Sequence, residues 1–205
     1  MIFADTGLEF PETLQNVKDV SEKYGLTVIS ESGGEGFWKE FEVQGPPAVD
    51  FRWCCKSCKL APVKKLIEKN WGEAVSFIGQ RKFESAKRMQ SPRVWRNKNV
   101  LCQLSAAPIQ HWTAMHVWLY LFREGAPYNP LYELGLDRIG CFMCPSSDVA
   151  CMKDIEARYP KMWADWEAKL SAWGDAHGMP AEWAEKSLWR IRERNEEDAD
   201  TDSHF

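Results

Sequence analysis

The chain opens on a short apolar run, Met1 to Ala4, that stops abruptly at Asp5-Thr-Gly. That is the pattern of a buried strand whose carboxyl end delivers polar side chains, the place where open α/β sheets bind ligands. Pro11 and Glu12 start a helix to about Lys23 with Leu14, Val17 and Val20 on its apolar side, and Leu26 to Ser30 reads as a second strand. The β-α-β rhythm predicts a parallel sheet. Residues 31–50, rich in Gly, Pro and Glu, read as a loop over a site. Lys59 to Asn70 is a helix with Leu60, Val63, Leu66 and Ile67 on one face and Lys64, Lys65 and Lys69 in solvent. Val75 to Ile78 and Val100 to Leu104 are the next strands, the second placing Cys102 in the core. Thr113 caps a helix whose Val117, Leu119, Tyr120 and Leu121 mark it as core. From Val149 to Arg194 the pattern is helical, with Ile155, Tyr159, Met162, Trp163 and Trp166 at three-to-four spacing.

Composition narrows the class. At 205 residues the chain can build one sizeable core, and 44% hydrophobic with 27% charged residues is ordinary for a globular protein. A net charge of -4 offers no global attraction to nucleic acid or to an anionic membrane, so a polyanion site must be a local basic patch. No apolar run approaches the roughly 20 residues of a membrane span, and residues 1–30 lack the layout of a signal peptide, so a cytoplasmic location is expected. Trp163, Trp166, Trp173, Trp183 and Trp189 crowd the C-terminal quarter. Little positive charge runs between them, so they read as core and not as a base-stacking platform. Glu196 to Asp202 is an acidic tail.

Thiols carry the candidate chemistry. Cys54 and Cys55 stand in Arg-Trp-Cys-Cys-Lys-Ser-Cys-Lys, and Cys141 and Cys144 in Gly-Cys-Phe-Met-Cys-Pro. Lys56 and Lys59 would lower thiolate pKa values and offset the charge of a thiolate-ligated centre. If Cys55 and Cys58 form one knuckle, two C-x-x-C pairs make a tetrahedral zinc site. If Cys54 and Cys55 both ligate, adjacent side chains must diverge to different metal atoms, as an iron–sulfur cubane allows. A disulfide or packed thiols without metal is the bland alternative.

A second site is basic. Arg81, Lys82, Lys87 and Arg88 concentrate positive charge just past a strand end and Gly79, and guanidinium groups grip phosphate or sulfate bidentately. The alternative is a solvated basic face. His111 and His116 complete no thiolate set and read as packing or surface residues.

These segments, taken in order, resemble the adenylyl-sulfate and phosphoadenylyl-sulfate (APS and PAPS) reductases of sulfate assimilation, within the adenine nucleotide α-hydrolase superfamily. The resemblance covers about residues 1–147. It rests on Asp5-Thr-Gly-Leu-Glu-Phe-Pro-Glu-Thr, on Cys54-Cys-Lys-Ser-Cys-Lys-Leu-Ala-Pro, on Gly79-Gln-Arg with Glu84-Ser85 and Arg88, and on Trp112-Thr through Pro127-Tyr-Asn-Pro to Ile139-Gly-Cys-x-x-Cys. A basic residue usually stands where this chain has Cys58.

The resemblance implies an α/β fold of three layers around a parallel sheet over residues 1–147, expected to lack the family's first strand and phosphate loop; the residue pattern adds a helical, Trp-rich extension at 148–195 and the tail at 196–205. It implies a 4Fe-4S cluster on Cys54, Cys55, Cys141 and Cys144, with zinc and Cys58 as the alternative metal and ligand. The implied substrate is an adenosine phosphosulfate, reduced to sulfite by a thioredoxin- or glutaredoxin-like partner. Asp5, Thr6, Gly7, Glu9, Arg81, Lys82, Ser85 and Arg88 would bind it, with Lys59, Arg81 and Arg88 in catalytic roles and Lys59 between cluster and substrate. The family's Ser-Gly-Gly-x-Asp-Ser phosphate loop is expected ahead of the first strand; Gly33-Gly34 does not substitute for it. No cysteine follows Cys151, where the family carries its nucleophile in a C-terminal tail. Cys58 or Cys151 serves, a homo-oligomer or partner chain supplies what is missing, or the chemistry differs, as in a sulfur-transfer or ATP-pyrophosphatase enzyme or a non-catalytic nucleotide-binding module.

Overall fold

A computed structural model describes residues 1–32 and 34–191. Gly33 and the acidic tail lie outside the described residues. In chain order the elements are β1 (Ile2–Asp5), α1 (Pro11–Tyr24), β2 (Ile29–Ser32), α2 (Gly34–Gln44), the short α3 (Trp53–Cys55) and α4 (Ala61–Asn70). There follow β3 (Ala74–Phe77), α5 (Ala86–Met89), β4 (Val94–Arg96), β5 (Gln103–Ala106) and α6 (Ala114–Arg123). The C-terminal part holds α7 (Val149–Arg158), α8 (Pro160–Ala176) and α9 (Glu182–Glu185). The class is α/β, and among the described residues no helix is long and apolar enough to cross a membrane.

The chain divides into two compact units. One takes Met1–Ala4, Pro11–Glu31 and Leu60–Pro130. There β1 pairs with β2, and β3, β5 and β4 form a second sheet in that order. β3 runs parallel to β5, whereas β4 is an antiparallel strand that the pattern did not announce. The Asn97 side chain accepts from the backbone of Asn99 (2.9 Å) and Val100 (3.2 Å), and this turn makes β4 and β5 a hairpin. It also moves the fourth strand from the expected 100–104 to Gln103–Ala106 and leaves Cys102 half-buried in the turn, not in the core.

Register puts Val75, Phe77, Val94, Arg96, Leu104 and Ala106 on one face of this sheet and Ala74, Ser76, Trp95, Gln103 and Ser105 on the other. The face that carries Ser76, Gln103 and Ser105 is the covered one: Ser105 is 0% exposed, whereas Phe77 is 78% exposed. α6 also departs from expectation, since Leu119 and Tyr120 face solvent and the helix buries none of its residues. Thr113 does cap it, accepting from the His116 backbone, and His111 and His116 are at the surface.

The other unit takes Asp5–Phe10, Ser32–Lys59 and Leu131–Phe205, and it contains the hydrophobic core. Trp163, Trp166, Leu170 and Trp189 pack with Phe10, Phe37, Phe41, Trp53, Met143, Met152 and Ile155. The expected loop at 31–50 contains α2, because Phe37 and Phe41 recur one turn apart and both are buried. Phe37 stacks on Trp53 with centroids 5.1 Å apart, and Phe41 meets Trp166 edge-on at 5.5 Å. α2 ends at Gly45, whose N–H donates to Phe41 O (2.9 Å) and whose carbonyl accepts from the Trp53 indole (3.2 Å).

Gly45 has φ 76°, and a Cβ there would lie 2.6 Å from Trp173 Cζ2. Gly45→Ala should therefore cost about 2–4 kcal/mol, the left-handed penalty plus overpacking. Gly178, at φ 68° with nothing within 4 Å of its would-be Cβ, carries the conformational part alone. Gly178→Ala should cost only about 1–2 kcal/mol in the same urea unfolding followed by tryptophan fluorescence; equal losses at the two positions would show that the Trp173 contact does not constrain the turn.

Candidate functional site

All the cysteines except Cys102 fall in the tryptophan-rich unit. The first set rides on α3 and a π-helical turn, Lys56–Leu60, that runs into α4. Such wide turns are uncommon and recur at functional sites. Trp53, buried and anchored to Gly45, fixes the start of the segment, and Cys55 N–H donates to Arg52 O (3.1 Å). Cys58 points into the core at 1% exposure, while Cys54, Cys55 and Lys59 are half-buried.

The second set is stitched to the chain's opening motif. Phe142 N–H donates to Leu8 O (2.9 Å), and Cys144 N–H closes a turn on Cys141 O (3.1 Å). The Arg190 guanidinium donates to Pro145 O from Nε (3.1 Å) and Nη2 (3.0 Å) and also reaches Ser147 O, so the loop is tied from the C-terminal side as well. Asp148 then caps α7 by accepting from Cys151 N–H (2.7 Å).

Between the two sets sits a polar cluster. Thr6 Oγ1 donates to Glu9 Oε1 (2.9 Å), accepts from Leu8 N–H (3.2 Å) and lies 3.5 Å from Cys141 Sγ. Gly7 N–H donates to Asp5 Oδ1 (2.8 Å), which closes the Asp5-Thr-Gly turn. Lys59 hydrogen-bonds to Cys141. Burial works against the Lys59 ammonium, but Cys141, Glu9 and Cys55 outweigh it and hold its pKa above the usual value. Burial pushes the Cys141 thiol up against the pull of Lys59.

Cys54 and Cys55 share a hydrogen bond that splits them. It raises Cys54, helped by burial and by Cys55, Cys141 and Cys144. It lowers Cys55 to about 6 against burial, with Lys59, Arg52 and Arg138 adding to the effect. Cys58 is pushed up to about 11 by burial and then by Cys141, Cys55 and Glu40. Arg52 stands in the first cysteine motif but its sequence position announces no role, and Arg138 and Glu40 reach Cys55 and Cys58 only through the fold. Among the described residues no group of three or more His, Cys, Asp or Glu is arranged to hold a single metal ion.

Of the predicted site residues, Asp5, Thr6, Gly7, Glu9, Lys59 and the five thiols Cys54, Cys55, Cys58, Cys141 and Cys144 thus belong to one unit. Arg81, Lys82, Ser85 and Arg88 belong to the other, past the end of β3. There Lys82 N–H donates to Gln110 O (2.8 Å), and Ser85 Oγ caps α5 by accepting from Arg88 N–H (3.2 Å). Both arginines pair with Glu84, a partner legible in retrospect from its spacing of three after Arg81 and four before Arg88.

In the metal-free, reduced protein one thiol should therefore titrate near 6, and alkylation with mass-spectrometric mapping should place it at Cys55. Lys59→Met removes a cation that favours the thiolate, so the Cys55 titration should move upward. Thiols that all titrate at an ordinary cysteine value of about 8.5 would contradict this electrostatic picture.

Known proteins place the chain among relatives. It is 47% identical over 197 residues to an uncharacterised protein of Methanocaldococcus jannaschii, a match covering 96% of this chain and 41% of that protein. A second uncharacterised protein of that organism is 34% identical over 174 residues, 85% of this chain and 42% of the relative. An adenosine 5′-phosphosulfate reductase of Bacillus cereus is 28% identical over 149 residues, 70% of this chain and 61% of that enzyme. The chain thus spans about two fifths of the length of the archaeal relatives. A phosphoadenylyl-sulfate reductase from Candida auris, crystallised with phosphate, superposes with a TM-score of 0.54 at 23% identity over 70% of this chain and 69% of that one, a likeness of fold. The model of the phosphoadenosine phosphosulfate reductase domain matches residues 1–147, and the chain, whose two cysteine motifs and Asp5-Thr-Gly turn lie in that span, belongs to this family.

Proposed function

We propose that the chain is the reducing module of a sulfonucleotide reductase, acting on adenosine phosphosulfate or its 3′-phosphorylated form. The observation that carries this reading is the gathering of two sequence-distant thiol sets with Lys59, Thr6 and Glu9 in one unit. Cys54, Cys55, Cys141 and Cys144 would hold a 4Fe-4S cluster. Adjacent Cys54 and Cys55 suit separate irons better than one zinc ion, for which Cys58 would be the alternative ligand. When bound, the cluster tunes the electrostatics of sulfuryl transfer.

The chain's own residues supply charge and orientation. Thr6 and Glu9 orient Cys141, and Lys59 presents an ammonium held protonated by its neighbours. Arg81, Arg88 and Lys82 neutralise the sulfate and phosphate groups, Ser85 orders the loop that carries them, and Asp5 and Gly7 meet the nucleotide. A thiolate attacks the sulfate sulfur, the sulfur–oxygen bond to phosphate breaks, and the adenosine phosphate leaves with that electron pair. A second thiolate then attacks the cysteine sulfur of the S-sulfo adduct, sulfite leaves with the electron pair of the broken sulfur–sulfur bond, and the disulfide that remains is reduced by a thioredoxin- or glutaredoxin-like dithiol. Burial raises the pKa of both Cys58 and Cys151, which favours an attacking thiol supplied from outside the described residues over either of these two.

Anaerobic purification should yield brown protein with about four irons per chain; colourless protein with one zinc would reverse the cofactor assignment. Adenylyl sulfate with thioredoxin should give sulfite, and Arg81→Ala should raise KM roughly 10- to 100-fold, the loss of a charge-assisted hydrogen bond. Cys58→Ala and Cys151→Ala should retain sulfite production, and its loss in either would identify a resident nucleophile.

A further inference from the structure

The loop past β3 contains an arrangement that sequence reading alone did not assign. Arg81 Nε donates to Glu84 Oε1 (3.2 Å), Arg81 N–H donates to Glu84 Oε2 (3.3 Å), and Arg88 Nη1 donates to the same Oε2. One carboxylate therefore holds two guanidinium groups at once. Its own place is set by the backbone: Lys82–Glu84 is a 3-10 turn, Lys82 N–H is pinned to Gln110 O, and Ser85 turns the chain into α5, bringing Arg88 back beside Glu84. The Arg81 and Glu84 side chains are only 21% and 22% exposed, well below the exposure of an ordinary surface ion pair.

We propose that Glu84 is the positioning residue of an oxyanion site, clipping Arg81 and Arg88 together so that they meet a sulfate or phosphate end group as one pre-oriented pair. A guanidinium carries five N–H donors in a rigid fork. The bonds to Glu84 engage Nε of Arg81 and one terminal nitrogen of Arg88, so each arginine has further donors to offer. Two cations against one anion leave the trio with a net positive charge, and Lys82 and Lys87 add to it. Ordering two long side chains costs conformational freedom on binding, and a partner that orders them beforehand removes that cost. The opposing effect is repulsion between the carboxylate and the incoming anion; with both acidic oxygens already facing guanidinium groups, the positioning effect dominates.

The proposal rests on the sulfonucleotide reading, and the test separates the two. Glu84→Ala and Glu84→Gln should weaken adenylyl sulfate binding by about tenfold, while Glu84→Asp, which keeps the charge but reaches less far, should recover part of the loss. Thermal stability and iron content should stay unchanged, and in turnover the effect should appear in KM and not in kcat. The Nε–H resonance of Arg81, assigned by Arg81→Lys, should lose its exchange protection in Glu84→Gln. Wild-type binding matched or exceeded by Glu84→Ala overturns the clip. If the wild type binds no adenylyl sulfate, the sulfonucleotide reading falls, and inorganic pyrophosphate decides the clip: binding that weakens about tenfold in Glu84→Ala supports it, and unchanged, stronger or absent binding in both proteins overturns it.

Discussion

Desolvation of sulfur is the constraint on which the thiol-bearing unit depends. Five cysteines from two motifs are drawn partly or wholly out of water, where a thiolate is costly unless positive charge or hydrogen bonds accompany it. Lys59, Arg52 and Arg138 supply the charge on the side of Cys55, and Lys59 pulls against burial on the side of Cys141, whose Sγ lies 3.5 Å from the Thr6 hydroxyl. The result is an uneven set, in which Cys55 ionises readily and Cys54 and Cys58 resist. Such unevenness sets one thiol apart from its neighbours in acidity before any ligand arrives.

That electrostatic arrangement needs a rigid frame, and the aromatic core provides it. Trp53 lies directly before the tandem cysteines and is held by Gly45 and Phe37, while Phe142 and Met143 sit between Cys141 and Cys144 inside the same core. Each cysteine loop thus has buried hydrophobic residues among or beside its thiols. The C-terminal helices, which bear no cysteine beyond Cys151, contribute by packing Trp163, Trp166 and Trp189 against that frame and by lending Arg190 to the Cys144 loop. A site of this kind is built on packed elements, the condition for holding functional groups to a fixed geometry.

The other unit follows a different economy of burial. Its three-stranded sheet covers Gln103 and Ser105 and exposes Val75 and Phe77, so periodicity along β3 and α6 does not report burial there. Its chemistry instead is local: Arg81, Glu84, Ser85 and Arg88 organise one another within a few residues, as capping and ion-pair spacing allow.

Local features were settled by the sequence. The first strand, the Pro11 helix, the Thr113 cap and the C-terminal aromatic helices follow from periodicity, capping chemistry and proline placement, all of which act over a single turn or two. The family, too, was legible, since its motifs are short and ordered. What neighbours decide across long separations was not: the helix at 34–44 was hidden behind glycines and glutamates, and Cys102 looked internal until the Asn97 turn ended its strand early. The difference in acidity between Cys54 and Cys55 likewise arises only after folding, because it depends on Lys59, Arg52, Arg138 and Cys141 meeting in a medium that screens charge far less than water does.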